Sequence, residues 1–314
     1  MTNSSQTILI TGATGSNGIE ILKLLAAQNI CVRAMVRDIH KAHSIFQAQG
    51  YIVDPSKIEL VEGDLDVPET LLTPLGGVNR AFLLTNSTER AEAQQLAFVE
   101  VARYSRVEHI VKLSQLHANH NSPVRFLRYH AAVESAIQAS GMTYTFLRPN
   151  LYMQGLLSFR STIQEKNAFY AAAGDAKVSI VDVRDIAAVA VAALTEAGHE
   201  GKIYDLTGPQ ALTHAQIATH LSLALGHEIA FVDVPPAAMR DAMTGRGMPV
   251  WQADGLVEDY AHYERGEAAT VANGVEAATG TAPRSFDTFA HDYAAMFSDR
   301  QIASSIQPLT KQNY

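Results

Sequence analysis

The sequence is poor in cysteine, in charge and in long hydrophobic runs. Its one cysteine, Cys31, excludes an internal disulfide and fits a reducing compartment. The net charge of −8 argues against nonspecific binding to nucleic-acid phosphates, which needs basic clusters. The longest apolar run, at 186–194, is too short to cross a bilayer, and the first residues lack the basic segment of a signal peptide. We therefore expect a cytoplasmic globular protein with no nucleic-acid or membrane partner.

Short apolar runs alternate with amphipathic stretches through the first half of the chain. The runs typical of strands are 7–11, 31–36, 58–62, 80–85, 109–114 and 143–148. Helical patterns fill 19–28, 91–104 and 123–140, where Ser122 is the expected N-cap and Pro123 the first helical residue. Because helices between strands imply right-handed crossovers, we predict an α/β fold with a Rossmann-type doubly wound parallel sheet.

The order of elements loosens after residue 150. Strands are predicted at 177–183, 202–208 and 229–234, with helices at about 184–196, 213–225 and 285–297. We expect residues 1–155 to form the NAD(P)-binding domain, completed by elements at about 177–208. Residues 156–176 and 209–297 would then form a smaller, mostly helical substrate-binding region, and 298–314 a flexible tail.

The strongest chemical signal is the stretch "TILITGATGSNGIEILKLL", in which a strand runs through three glycines into a helix. Gly12 suits the tight turn, Gly15 lets the backbone approach a pyrophosphate, and Gly18 lets helix and strand pack closely. The diphosphate would lie on free N–H groups at the helix N-terminus. Placed between a strand and a helix, the glycine triplet predicts a dinucleotide site.

The residues after the second strand bear on the choice of dinucleotide. An acidic residue there would bind the ribose 2′-hydroxyl of NAD, whereas an Arg accommodates the 2′-phosphate of NADP. Arg37 is the first polar residue after the strand, and Lys41 lies one helical turn further on, so the two can clamp a phosphate. Asp38 is the opposing feature. We expect NADP(H) to be preferred, with NAD(H) left open.

Two further strand ends offer polar groups at the carboxyl edge of the sheet, where ligands bind in open α/β folds. Asp64 follows the third strand, where it can meet an adenine amino group with Leu65 beside the ring. The alternative for Asp64 is a helix N-cap. Thr85, Asn86 and Ser87 follow the fourth strand.

Longer motifs resemble the NmrA-like atypical short-chain dehydrogenases/reductases. They are the opening "TGATGSNG", Arg37, "GDL", "RYHAAVESAIQASGMTYTFLRPNLYMQ", and "IYDLTGPQALTHAQIA" followed by "GMPVWQADGLVEDYAHYERGEA". That family includes reductases of triphenylmethane dyes and quinones, and NADP(H)-binding sensors. The resemblance spans about residues 6–297. It implies cofactor contacts at Gly12, Thr14, Gly15, Ser16, Asn17, Gly18, Arg37, Lys41, Asp64, Leu65, Thr85, Asn86, His130, Pro149, Asn150, Tyr152, Met153 and Gln154.

The helix at 123–140 lacks the Tyr-x-x-x-Lys pair with which standard members of the wider superfamily move protons. Tyr129 is followed four residues later by Val133, and His130 is preceded four residues earlier by Phe126. Tyr129 and His130 should point about 100° apart. By the resemblance, His130 occupies the lysine position. It can bind a ribose hydroxyl, donate a proton near neutral pH, or merely line the nicotinamide pocket.

Chemistry that needs no strong acid remains available. Hydride from NADPH can add directly to a quinone-, dye- or enone-like acceptor, because the product anion is delocalised or a cation is neutralised. Ser114 matches the superfamily's catalytic serine in location only, and we expect no metal site. The alternative function is a noncatalytic NADP(H) sensor that acts through a protein partner. We expect a small aromatic or quinone-like substrate, with an oligomer left open.

Overall fold

A computed structural model describes residues 6–298 of the chain. Its strands are β1 (Ile8–Ile10), β2 (Val32–Val36), β3 (Ile58–Glu62), β4 (Arg80–Leu83), β5 (His109–Leu113), β6 (Thr143–Pro149), β7 (Ala168–Ala171), β8 (Lys177–Val178), β9 (Lys202–Leu206), β10 (Leu212–Thr213) and β11 (Ala230–Asp233). Seven of them form one parallel sheet in the order β3-β2-β1-β4-β5-β6-β9. The chain direction across the sheet reverses between β1 and β4, which is the switch point of a doubly wound fold.

Helices cover both faces of this sheet. Their bounds are α1 (Ser16–Ala27), α2 (Ile39–Ala48), α3 (Leu72–Leu75), α4 (Ala91–Tyr104), α5 (Arg125–Ala139), α6 (Arg160–Lys166), α7 (Val183–Thr195), α8 (His214–Leu225), α9 (Pro236–Gly245), α10 (Val250–Glu264), α11 (Gly274–Thr279), α12 (Phe286–Asp292) and α13 (Ala294–Ser298). Two 3₁₀ helices, Pro68–Leu71 and Met153–Phe159, precede α3 and α6. No helix within residues 6–298 is both long and apolar enough to cross a membrane.

The strands of the main sheet are apolar on both sides because each side has its own core. Ile8 and Ile10 of β1 pack with α1, α2, α7 and α11. Leu9, which points the other way, packs with α3, α4 and α5. A sheet buried on both faces is what parallel βαβ crossovers produce. The α/β Rossmann prediction is confirmed.

The C-terminal region has a separate core and two small sheets of its own. Strand β7 pairs in parallel with β11, and β8 pairs antiparallel with β10. Phe169, Phe286 and Phe289 are fully buried in the core that α6, α8 and α12 surround. Helix α10 connects this region to the main sheet, since it packs against α5.

Several predicted element bounds were wrong for local reasons. Of the strand predicted at 177–183, Lys177–Val178 forms β8, which lies outside the main sheet. The strand ends there because the next residues bond to loops: Ser179 N–H donates to Ala268 O, and Val181 N–H donates to Leu151 O. Helix α5 begins at Arg125, because the Ser122 hydroxyl caps only a turn at Val124 N–H.

Two further predictions concern the end of the chain and the strand at 229–234. The predicted 285–297 helix is interrupted at Tyr293, and Ser298, placed in the tail, ends α13. The other tail residues, 299–314, lie outside the described part of the chain. Strand β11 forms where a strand was expected, but it pairs with β7 in a two-stranded sheet, while β9 joins the main sheet beside β6.

Candidate cofactor and substrate site

The loop between β1 and α1 has the geometry of a phosphate cradle. Gly12 has φ +60°, the left-handed region that favours glycine, and a side chain on Gly18 would lie 2.3 Å from Gly12 O. A side chain on Gly15 would meet only Gly12 O, at 3.4 Å, so the space above it is open. No side chain within residues 6–298 caps α1, which leaves its first N–H groups for an anion. The loop fits a dinucleotide diphosphate.

Asn17 joins this loop to the segment that follows β6. Its side chain is buried and hydrogen-bonded to the Tyr152 hydroxyl, while its Oδ1 has no partner in the described part of the chain. Burial raises the pKa of Tyr152 far above its ordinary value, so the phenol stays neutral. The backbone O of Thr14 accepts a hydrogen bond from Gln49, and Ser16 begins α1. An unpaired buried acceptor beside the cradle favours a ligand that donates to it.

The charged residues after β2 differ in whether their side chains are already hydrogen-bonded. Asp38 is the N-cap of α2, and its Oδ1 accepts the N–H of Lys41 at 2.9 Å. The side chains of Arg37 and Lys41 are exposed, and neither forms an ion pair within residues 6–298. The Asp38 carboxylate is thus hydrogen-bonded to its own helix, whereas the side chains of Arg37 and Lys41 are free to bind a ligand. This arrangement favours a 2′-phosphate over a free ribose hydroxyl.

The other predicted contacts on this edge are local turn and helix residues. Asp64 Oδ1 accepts the N–H of Asp66 at 2.9 Å, so it holds a turn; the helix N-cap alternative is wrong, because the next helix has Val67 as its N-cap. Leu65 is half-buried. Thr85 Oγ1 accepts from Gln95, and Asn86 is exposed.

The segment after β6 faces mainly into the protein. Asn150 donates to Ser179 Oγ and Ala268 O, both at 2.9 Å, and its Oδ1 accepts Leu151 N–H. Met153 is fully buried, and the polar atoms of Gln154 bind Asp182 and Val183 N–H. Pro149 is buried and its carbonyl accepts Leu116 N–H. Of the predicted contacts here, only the Tyr152 side chain reaches the glycine loop.

His130 forms a buried hydrogen bond with a lysine that comes from another element. Lys112 of β5 has no exposed surface, and its Nζ lies 2.8 Å from His130 Nδ1 and 3.1 Å from Leu113 O. Burial, and then the charges of Lys112 and Arg148, hold the pKa of His130 well below its ordinary value. Near neutral pH the imidazole is therefore neutral, so any proton that His130 donates comes from a ring N–H and not from an imidazolium. Its Nε2 has no partner within residues 6–298.

Tyr129 lies against His130 instead of pointing away from it. The two ring centroids are 4.1 Å apart, so the side chains of these adjacent residues converge. The Tyr129 hydroxyl is 3.0 Å from Ser87 Oγ, and burial raises its pKa well above the ordinary value. Tyr129 is therefore a weak acid that is already hydrogen-bonded.

Ser114 belongs to an ion-pair network with Glu134, which lies one turn after His130 on the same face of α5. Its hydroxyl donates to Glu134 Oε1 at 2.5 Å, and the other Glu134 oxygen binds Arg148 at 2.5 Å. Ser114 and Glu134 are both buried. Since the serine proton is held by a carboxylate, we assign Ser114 a positioning role between β5 and α5 rather than a catalytic one.

Helix α10 brings the C-terminal region over the same edge. Trp251 packs on Phe126 with ring centroids 5.5 Å apart, and Arg125 binds Glu258 at 2.7 Å. Asp259 accepts two bonds of 3.0 Å from Gln115, two residues after β5, and burial raises the pKa of Asp259 to about 6. The arrangement provides an apolar wall beside the end of β5.

Sequence reasoning missed Lys112 and Asp259. Lys112 stands inside the apolar run "HIVKLS", and a lysine within a strand expected to be buried on both faces was an available signal. Asp259 had no such signal, because its burial depends on how α10 docks against the loop after β5.

Comparisons with known proteins identify the family of the chain. A sequence model of the NmrA-like family matches residues 4–289. The chain is 39% identical over 290 residues to the NAD(P)H azoreductase of Xenophilus azovorans, an alignment that covers 92% of this chain and 99% of that protein.

Two solved structures resemble the fold over nearly their whole length. One is an NADPH-dependent quinone oxidoreductase of Escherichia coli complexed with NADPH, with a TM-score of 0.79, 27% identity, and coverage of 91% of this chain and 99% of that one. The other is the triphenylmethane reductase of Citrobacter sp. complexed with NADP(H), with a TM-score of 0.78, 26% identity, and coverage of 92% and 99%. With the family model matching most of its length, this chain belongs to the NmrA-like family.

Proposed function

We propose that this chain is an NADP(H)-dependent reductase that transfers hydride directly to an electron-poor conjugated acceptor of the quinone, dye or enone kind. Family membership and the names of its relatives support a reductase that uses NAD(P)H. Direct hydride transfer without a Tyr–Lys relay is supported by the surroundings of Tyr129. Its hydroxyl is hydrogen-bonded to Ser87, its pKa is raised, and Val133 occupies the position of a lysine partner. A Tyr–Lys relay has no second member on this helix.

The cofactor we assign is NADPH, which when bound supplies the hydride from its nicotinamide ring. The glycine loop binds the diphosphate through the N–H groups at the start of α1. Arg37 and Lys41 bind the 2′-phosphate, since Asp38 is engaged as the cap of α2. NADH would bind at the same place without that charge-assisted contact, and therefore more weakly.

An acceptor with a delocalised product needs no obligatory acid. A cationic dye becomes neutral when it takes hydride, and the monoanion of a hydroquinone is stable in water. The protein then contributes position and an apolar surrounding, for which the half-buried Trp251, packed on the buried Phe126, provides one wall. A planar aromatic acceptor can stack on such a wall.

The experiment that tests this function is NADPH oxidation by the full chain with a panel of quinones, cationic dyes, azo dyes and enones. We expect turnover with several of them, and at least tenfold tighter binding of NADPH than of NADH, measured by fluorescence titration. Tight NADPH binding without turnover of any acceptor would reject the reductase and leave the noncatalytic sensor. Equal affinity for the two cofactors would reject the role of Arg37 and Lys41.

A further inference from the structure

Lys112 and His130 form a buried couple that direct hydride transfer to a dye or quinone does not use. The lysine has no exposed surface, and its ammonium has two acceptors, His130 Nδ1 at 2.8 Å and Leu113 O at 3.1 Å. Burial of a cationic lysine is costly unless it is paired with an anion, and neither acceptor is one. A position this unfavourable for a lysine suggests a role beyond packing.

Burial and the charges around the couple determine where its proton lies. Burial is the largest effect and lowers the pKa of Lys112 to about 7, while Glu134 of α5 raises it and Arg148 of β6 lowers it. Burial and the two neighbouring cations hold the pKa of His130 far below that. Near neutral pH the couple therefore holds one exchangeable proton, on Lys112, beside a neutral imidazole.

The hydrogen bond also fixes the tautomer of His130. An ammonium can only donate, so Nδ1 of the imidazole accepts and Nε2 carries the ring hydrogen. This Nε2 has no partner within residues 6–298. The ring lies against Tyr129, whose hydroxyl reaches Ser87 beyond the end of β4. The free N–H thus belongs to the edge of the sheet at which the glycine loop lies.

We propose that Lys112 and His130 form a proton relay for acceptors whose reduced form must be protonated at once, such as an azo bond. This relay rests on the proposed reductase function. As hydride from NADPH adds to one nitrogen of the N=N bond, the other nitrogen takes the proton of His130 Nε2. Nδ1 then takes a proton from Lys112 Nζ. NADPH, one proton and the azo compound become NADP⁺ and the hydrazo compound, and Lys112 is left as a neutral amine.

The same imidazole returns the proton. Lys112 is fully buried and has no contact with solvent of its own. After the product leaves, Nε2 takes a proton from water and Nδ1 gives one back to Lys112. The two nitrogens of His130 thus pass protons in either direction without the ring becoming a stable cation, which its environment disfavours.

The test compares two acceptors that differ in their need for a proton. Lys112→Met removes the proton store but keeps an apolar chain of similar length. We expect it to lower kcat for a neutral azo dye by about a hundredfold, the range of a lost general acid. Reduction of a cationic triphenylmethane dye, which takes hydride without a proton, should stay within threefold. Lys57→Met is the matched control, because Lys57 Nζ also donates to a backbone carbonyl, that of Ala26, far from the site.

The outcomes separate the relay from the proposed function. If the unmodified protein reduces neither dye, the reductase itself is rejected. If it reduces both, and Lys112→Met either keeps azo reduction or loses both activities equally, the relay is overturned. For the unmodified protein, we expect azo reduction to fall above pH about 7 and to show a solvent deuterium isotope effect, both absent with the cationic dye.

A second readout needs no turnover. In ¹⁵N-histidine-labelled protein without cofactor, His130 should be neutral with its hydrogen on Nε2 at pH 6. Its Nδ1 signal should then move as the pH passes about 7. Lys112→Met should abolish that movement, and a movement that persists would overturn the relay. If Lys112→Met does not fold, His130→Ala with added imidazole replaces it: imidazole should restore azo reduction, and no restoration would overturn the proposal.

Discussion

The two edges of the main sheet contain similar residues in opposite states. At the amino edge, His109 is hydrogen-bonded to the hydroxyls of Thr143 and Thr145, and Arg80 binds Glu200 and the carbonyl of Ala193. At the carboxyl edge, several polar groups lack partners within residues 6–298: the buried Asn17 Oδ1 and Gln95 Oε1, the ring atom His130 Nε2, and the exposed side chains of Arg37 and Lys41.

The difference in hydrogen bonding distinguishes a structural cluster, at the amino edge, from a candidate binding site, at the carboxyl edge of the same strands. His109 and Lys112 are three residues apart on β5, and burial lowers the pKa of each. His109 is hydrogen-bonded at both ring nitrogens, whereas Lys112 is hydrogen-bonded to His130, whose Nε2 has no partner within residues 6–298. Unpaired polar groups are costly inside a protein, so the unpaired groups at the carboxyl edge are the ones that a ligand there could complete. The predictions below test this contrast.

The largest effect should come from closing the glycine loop at the carboxyl edge. Gly15 has φ −83°, and an added side chain would meet only Gly12 O, so Gly15→Val should fold. Its branched side chain would occupy the space left for the diphosphate. We expect NADPH affinity to fall at least a hundredfold, or ~2.7 kcal/mol, in a fluorescence titration. Gly245→Val, at another open glycine, is the control; normal NADPH binding by Gly15→Val would place the cofactor elsewhere.

At the amino edge, the expected effect is on stability and its pH dependence. Burial lowers the pKa of His109 to about 4, so between pH 6.5 and 4 the unfolded chain binds a proton that the native state does not. Stability therefore rises with pH through this window and is lost as the pH falls. We expect His109 to account for ~2 kcal/mol of the loss between pH 7 and pH 4.5.

Urea unfolding of His109→Gln measures this contribution. The variant should lose less stability than the unmodified protein over the same pH interval, while its NADPH affinity at pH 7 stays normal. His227→Gln, at an exposed histidine, is the control. An unchanged pH dependence of stability in His109→Gln would contradict the stabilising role of His109. A loss of NADPH affinity would contradict the separation of the amino edge from the cofactor site.

A smaller effect should follow from removing one free cation of the carboxyl edge. Arg37→Ala should weaken NADPH binding about tenfold, or ~1.4 kcal/mol, through loss of one charge-assisted contact. NADH binding should stay nearly unchanged, since it has no 2′-phosphate. Arg103→Ala removes a surface arginine whose one ion pair within residues 6–298 is with Glu100, and it should change neither affinity. Parallel loss for both cofactors would assign Arg37 to another part of the site.

The contrast between the edges also explains what the sequence could predict. The glycine loop, the strands before residue 150 and the position of Arg37 follow from local pattern and backbone geometry, and they were recovered. Asn150 and Gln154 were expected to meet the cofactor, but their partners, Ser179, Ala268 and Asp182, come from segments far along the chain. No local pattern reports such pairings.

The pairing of Lys112 with His130 was unpredictable for a related reason. Helical spacing correctly excludes a lysine four residues from Tyr129, but it considers only one helix. The lysine comes instead from the neighbouring strand, 18 residues earlier, because β5 and α5 face each other across a buried layer. Likewise, the expected 100° between Tyr129 and His130 describes their Cα–Cβ directions, whereas the rings bend together.

The smallest effect should come from Tyr129, which has the phenol of the superfamily's catalytic tyrosine but no lysine four residues later. Its hydroxyl binds Ser87 and its pKa is raised, so we expect Tyr129→Phe to leave kcat for a good quinone within threefold. Loss of that hydrogen bond should cost ~1 kcal/mol of unfolding free energy. Tyr104→Phe, at an exposed tyrosine, is the control. A general acid would behave differently, since its removal lowers the rate by ~10²–10⁴ with binding spared. A hundredfold drop in kcat with normal NADPH affinity would therefore reject the acid-free transfer and return Tyr129 to the reaction, with His130 and Lys112 as its proton source.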